Sequence, residues 1–157
     1  MEDNFTKAES KGRAELKQDY ESSPCTIVYE FTKYKYDKLD SFATAYTPNK
    51  DLTYAVEIKY RDIPIDQYYD EGFIMEYNKY EALMEAYTNS GYCPLYINYF
   101  DDGRIVWDVT KINNVEDRWI TKYCTRTTAE NYKKGDIPKK VILLYPQEGK
   151  VRRKISL

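Results

Sequence analysis

The chain contains no histidine. That absence removes Ser-His and Cys-His nucleophilic catalysis and any zinc site built on imidazole. Hydrolytic chemistry, if present, has to use carboxylates, Lys, Tyr or a hard metal. Cysteine is scarce: Cys25, Cys93 and Cys124 lie far apart, without metal-ligand spacing, and their odd number argues against a disulfide framework. They read as buried thiols of a cytoplasmic protein. No apolar run approaches the roughly 20 residues of a spanning helix, so no membrane partner is expected. The first residues, MEDNFTKAESKGRAELK, are polar and mixed in charge, unlike a secretory signal. Nor is there a surplus of one charge: Lys and Arg number 24 against 26 Asp and Glu, a net of -2. The chain therefore carries no global electrostatic signature for nucleic acid or membrane. Internal repeats, low-complexity tracts and long linkers are also missing.

What is present suits one domain of 157 residues with a modest core, because 18 of the residues counted among its apolar set are tyrosines. Residues 5–22 read as a helix with Phe5, Ala8, Gly12, Leu16 and Tyr20 on one side, stopped by Pro24. Residues 26–32, TIVYEFT, are β-branched and aromatic and read as a strand. Residues 39–61 form a hairpin around PNKD, followed by a loop, DIPIDQYYDE, in which Pro64 would interrupt a ladder. GFIMEY reads as a short strand leading to a helix capped by Asn78, with Tyr80, Leu83, Met84 and Tyr87 on its apolar stripe and Gly91 at its end. A second hairpin joins 94–100 to 104–109 through DDG, and RWITKYCT and KKVILLYP are later strands around TAENYKKGD, a short helix or loop. The order predicts an α+β fold with a mixed central β-sheet flanked by helices.

Within the hairpin, YAVEIKYR places charge in a run that otherwise reads as buried. Strand alternation puts Glu57 and Lys59 on one face and Val56 and Ile58 on the other. With the turn at residues 48–51, Thr47 faces Leu52, Phe42 faces Glu57 and Asp40 faces Lys59. Asp40 then shares the Glu57 face, and a one-residue slip would substitute Asp37. Two carboxylates and an amine so placed can hold a hard dication, with the Ile58 carbonyl as a further oxygen ligand. A dication there would polarise a phosphate, and the Lys59 ammonium would orient the attacking water or offset charge building on phosphorus. The bland alternative is a cross-strand surface ion pair.

This arrangement resembles the PD-(D/E)XK, or restriction-endonuclease-like, nuclease superfamily. That core is a helix, a strand meander, a helix and a further strand. Its Asp begins the second strand and its Glu-x-Lys lies in the third, here Asp40 in KLDSF and Glu57 and Lys59 in VEIKY. The resemblance covers roughly residues 9–101 and leaves residues 104–157 as a C-terminal strand extension without counterpart. Leu39 stands where the family's proline would precede the Asp. The resemblance implies a nuclease using Mg²⁺ or Mn²⁺, with Asp40, Glu57 and the Ile58 carbonyl on the metal and Lys59 serving the water. Glu15 of KGRAELK would complete the metal site, with Glu9 as its substitute. Lys79 and Gln67 are candidate substrate contacts. The implied partner is nucleic acid, DNA in preference, and homodimers are common among nucleases that cut both strands. Local basic stretches, NYKKGDIPKK and the C-terminal GKVRRKISL, offer the only positive patches, the latter read either as a nucleic-acid arm or, more commonly, as a frayed, solvated terminus. Two other readings stand beside this one. The same fold could serve as a non-catalytic nucleic-acid- or protein-binding module, or the chain could be an interaction protein of unrelated α+β fold.

Overall fold

The structure, a computed structural model, describes residues 5–34, 37–124 and 137–154. The stretch TAENYKKGD, residues 128–136, lies outside the described residues. The chain opens on α1 (Lys7–Glu21), started by a capping box in which Thr6 and Glu9 exchange side-chain and backbone bonds. Its buried residues, Gly12, Leu16 and Tyr20, recur along one face. Gly12 costs helix propensity, and its position shows why it is used. A Cβ there would stand 3.4 Å from Ile58 Cδ1 and 3.5 Å from Tyr60 Cβ, so glycine allows α1 to settle closely on the sheet.

The sheet under α1 begins as a meander of β1 (Thr26–Phe31), β2 (Ser41–Tyr46) and β3 (Asp51–Tyr60). Beyond β3 come α2 (Ile65–Glu71), β4 (Phe73–Glu76) and α3 (Tyr77–Ser90), which Gly91 ends in the left-handed region at φ 72°. The chain then returns through β5 (Cys93–Phe100), parallel to β3, and β6 (Gly103–Asp108), antiparallel to β5. Three-residue 3₁₀ turns at Val109–Lys111 and Val115–Asp117 lead to β7 (Trp119–Cys124), and β8 (Ile137–Leu144) and β9 (Lys150–Arg153) follow. The central sheet has six strands in the order β1-β2-β3-β5-β6-β9, and a second sheet has three, β4-β8-β7.

The fold is thus α+β with a mixed central sheet flanked by helices. Alternation divides its core. Ala43, Val56, Ile58, Ile97 and Tyr99 pack with Leu16 and Tyr20 of α1. On the other face Ala55, Tyr96 and Phe100 pack with Leu83 of α3 and with Phe73, Met75, Ile142 and Leu144 of the second sheet. No helix among the described residues is long and apolar enough to cross a membrane.

Several local expectations need correction. Residues 65–71 are helical, because Pro64 occupies the N-cap position, where its missing N–H costs nothing, and Ile65 and Tyr68 supply a buried i, i+3 pair. Helix α3 starts at Tyr77 with Glu76 as its cap, so Asn78 lies inside the first turn. The basic residues after Gly149 are not frayed: Lys150–Arg153 pair with β6 as an edge strand of the central sheet, where charged side chains discourage further pairing. The register of the first hairpin also differs. Its turn spans residues 47–50, closed by the Thr47 N–H on the Lys50 carbonyl, and Ala45 rather than Thr47 faces Leu52.

Candidate functional site

That register change is a slip of two residues, so it preserves the face on which every side chain lies. Ser41 pairs with Val56, and one step further puts Asp40 level with Glu57 rather than Lys59. The backbone supports the step, since the Asp40 N–H donates to the Val56 carbonyl at 3.0 Å. The Asp40 carboxylate is held on both oxygens. Its Oδ2 accepts from the Ile58 N–H at 2.9 Å, and its Oδ1 accepts from Arg13 Nη2 at 3.3 Å. Asp37 does not compete for this place, because its carboxylate accepts from the Tyr34 N–H within the loop before β2.

Glu57 is the unusual member. It is 4% exposed, in the middle of a strand whose neighbours are Val56 and Ile58. Its Oε1 lies 3.1 Å from Lys79 Nζ, while its Oε2 is buried and accepts no hydrogen bond from any of the described residues. Burial pushes the Glu57 carboxyl up to about 8, the Asp40 charge adds to the push, and the Lys79 and Lys59 ammonium groups pull against it. A buried carboxylate beside a second carboxylate is costly unless cations or donors surround it. Here the cations come from three elements: Lys59 on β3, Lys79 on α3 and, through Asp40, Arg13 on α1. Lys79 also donates to the Lys38 carbonyl at 3.2 Å, which bridges α3 to the loop that carries Asp40.

Two residues join the site that the sequence reading passed over. Arg13 reaches Asp40 and also donates to Thr32 through its carbonyl at 2.7 Å and its hydroxyl at 3.2 Å. Glu76 stands at the start of α3, where its carboxylate accepts from Lys139 of β8 at 2.8 Å. Burial acts to raise the Glu76 carboxyl, but the Lys139 hydrogen bond and the charges of Lys59, Lys139 and Lys79 outweigh it and leave it below the usual range. Neither contact was legible, because each partner lies at least 27 residues away along the chain. A buried polar row continues next to the carboxylates. Asn98, 1% exposed, lies level with Lys59 on the parallel strand, and its Oδ1 accepts from Arg61 Nε at 3.3 Å.

The structure does not gather every expected residue. Glu15 accepts from Lys154 Nζ at 3.1 Å, on a helix packed against the sheet face opposite Glu57. Gln67 is exposed on α2. The thiols Cys25 and Cys93 are free, and burial together with Asp108 pushes Cys93 up to about 11.

Among the described residues no three His, Cys, Asp or Glu side chains cluster as a preformed metal cage. The Oε2 of Glu57, without a donor among the described residues and level with Asp40, leaves one carboxylate oxygen open to a small hard dication, which would keep most of its shell as water or phosphate oxygen. One consequence concerns Lys79 directly. Lys79→Met is expected to destabilise the protein by about 1–3 kcal/mol. The loss should be larger at pH 9 than at pH 6, because above about 8 Glu57 carries the charge that Lys79 offsets. Thermal unfolding at the two pH values measures it, and an equal loss at both would contradict the pairing.

No family model, no curated protein and no solved structure matches this chain. The functional reading therefore rests on the geometry just described.

Proposed function

We propose that the chain is a metal-dependent nuclease of the PD-(D/E)XK type, hydrolysing phosphodiesters in nucleic acid. The observation that carries the reading is Glu57: a strand carboxylate buried beside Asp40 with one oxygen lacking a donor among the described residues. The order of elements supports it: a helix, a three-strand meander, a crossover through α2, β4 and α3, then a strand parallel to the third, with Asp40 immediately before β2 and Glu57 and Lys59 within β3.

Asp40, Glu57 and the Ile58 carbonyl would hold a Mg²⁺ or Mn²⁺ ion, which supplies a Lewis acid for the phosphate and for the attacking water. The chain's own residues do the rest. Arg13 and the Ile58 N–H fix the Asp40 carboxylate in place. Lys59, on the Glu57 face, orients the water and offsets negative charge growing on phosphorus. Lys79 keeps a positive charge at the rim of the carboxylates and can turn to a phosphate oxygen.

A second reading has its own support. Arg13 and Lys79 already counter the two carboxylates, so the fold tolerates the pair without a metal. A binding module would keep its charges in this way. Metal dependence separates the two. The nuclease reading expects cleavage of single- or double-stranded DNA in Mn²⁺ that stops in chelator. Retained binding without cleavage in any divalent ion would favour the module.

A further inference from the structure

We propose that the second sheet supplies a nucleic-acid platform beside the candidate site, made of Trp119, Tyr77, Tyr80 and Lys140, which stacks an unpaired base and holds its phosphate. This rests on the nucleic-acid reading of the site and names the form of substrate it takes.

The rings come from separate elements. Trp119 of β7 meets Tyr77 with centroids 4.6 Å apart and Tyr80 with centroids 5.2 Å apart, both edge-to-face. The three rings are only partly buried. Lys140, exposed on β8, holds its ammonium 3.9 Å from the Tyr77 centroid and 5.3 Å from that of Trp119. A cation on tyrosine and tryptophan rings at a partly open surface is the composition that single-strand binders use: π-faces for bases and an adjacent amine for the backbone.

The platform is continuous with the candidate site. Lys139, next to Lys140, bonds Glu76, and Glu76 immediately precedes Tyr77. The Glu76 carboxyl in turn feels Lys59 and Lys79. Lys59 of β3, Lys79 of α3 and Lys139 of β8 thus all act on Glu76, with Lys79 and Lys139 paired to Glu57 and Glu76, on a chain whose net charge is -2. Polyanion attraction has to be local in such a protein, and these amines join the buried carboxylates to stacking rings. A base that stacks must be unpaired, so the favoured substrate is single-stranded or has a frayed end, a flap or a gap.

The test is a fluorescence titration of the full chain with oligothymidylate in chelator. Only two tryptophans are present, and Trp107 is fully buried with its indole N–H on the Tyr145 carbonyl. A change in emission therefore reports Trp119. The expected result is saturable quenching, absent in W119F, with affinity reduced about tenfold or more in W119A. K140A, at an exposed position, should weaken binding and reduce the salt slope by about 0.7. Binding that leaves Trp119 emission unchanged, or that K140A and W119A leave intact, overturns the platform. So does binding of duplex in preference to oligothymidylate, or no binding of oligothymidylate at all. Mn²⁺ calorimetry on the same protein reports the carboxylate site separately, so failure of the platform is told apart from failure of the metal site.

Discussion

Lys59→Ala is expected to lower Mn²⁺-supported DNA cleavage by about 10²-fold or more while leaving thermal unfolding close to that of the parent. The magnitude follows from removing one preorganised charge aimed at a developing anion. The sparing of the fold follows from position. Lys59 lies near the end of β3, only partly buried, and the strand's packing against α1 is carried by Val56 and Ile58 on the other face. Glu57 does lose one of its two compensating ammonium groups, but Lys79 remains at 3.1 Å. Cleavage of a mixed single- and double-stranded DNA panel, followed alongside the unfolding midpoint, measures both effects. Full activity in the variant would remove Lys59 from the mechanism. Loss of activity together with loss of fold would place Lys59 among the residues that hold β3, and Lys59→Met, which keeps the aliphatic stem, distinguishes the two.

The second large effect is on stability, at Glu57. In the folded chain this carboxyl keeps its proton up to about pH 8, whereas its ordinary value is 4.5. Between those values the folded state holds one proton more than the unfolded state. The contribution of Glu57 to stability is therefore fully present below about 4.5, falls as pH rises through the window, and is lost above about 8. The slope is on the order of 1 kcal/mol per pH unit. Glu57→Gln has no proton to lose, so its stability should stay flatter over the same range and exceed that of the parent most clearly near pH 8. Denaturant unfolding at pH 5 and pH 8 tests it. A parent and variant that respond equally to pH would mean that Glu57 is ionised and fully satisfied by Lys79.

The part of the site that was legible in the sequence was legible because strands have a period of two. The turn around residues 47–50 sits one position earlier than PNKD suggests, which moves the register by two residues. Asp40 changes its partner from Lys59 to Glu57, yet remains on the same face. The burial of Glu57 was not legible in that period, because Val56 and Ile58 line the opposite face and an exposed cross-strand pair fits the same alternation; it comes from α3, whose Lys79 reaches Glu57. Helix α2 was hidden by Pro64, whose ring forbids a strand ladder equally well in a loop or at a helix start. The second sheet was hidden by distance. Strand β4 pairs with β8, Glu76 against Val141, across most of the C-terminal half, and no local pattern encodes such a pairing. Arg13 and Lys139 were missed for that reason too. Each is an ordinary basic residue in its own segment and gains meaning only when its carboxylate partner arrives from elsewhere.

This geometry explains a division of labour around β3. One face is apolar and anchors α1. The other begins apolar at Ala55 and then turns polar at Glu57 and Lys59, level with Tyr96 and Asn98 of the parallel strand. Carboxylates sit where β3 and the loop before β2 meet, and cations approach them from α1, α3 and β3 itself. Arg13 and Lys79 counter the pair only in part: one Glu57 oxygen has no donor among the described residues, and the Asp40 charge helps burial to hold the proton on Glu57.

The central claim is that Asp40 and Glu57 jointly take up a divalent cation, and calorimetric titration of Mn²⁺ tests it without any choice of substrate. The account predicts saturable binding that is lost in both Asp40→Ala and Glu57→Gln. It also predicts proton release and tighter binding as pH rises toward about 8, because the ion displaces the Glu57 proton. Absence of binding in the parent, or binding that both substitutions leave unchanged, would contradict it.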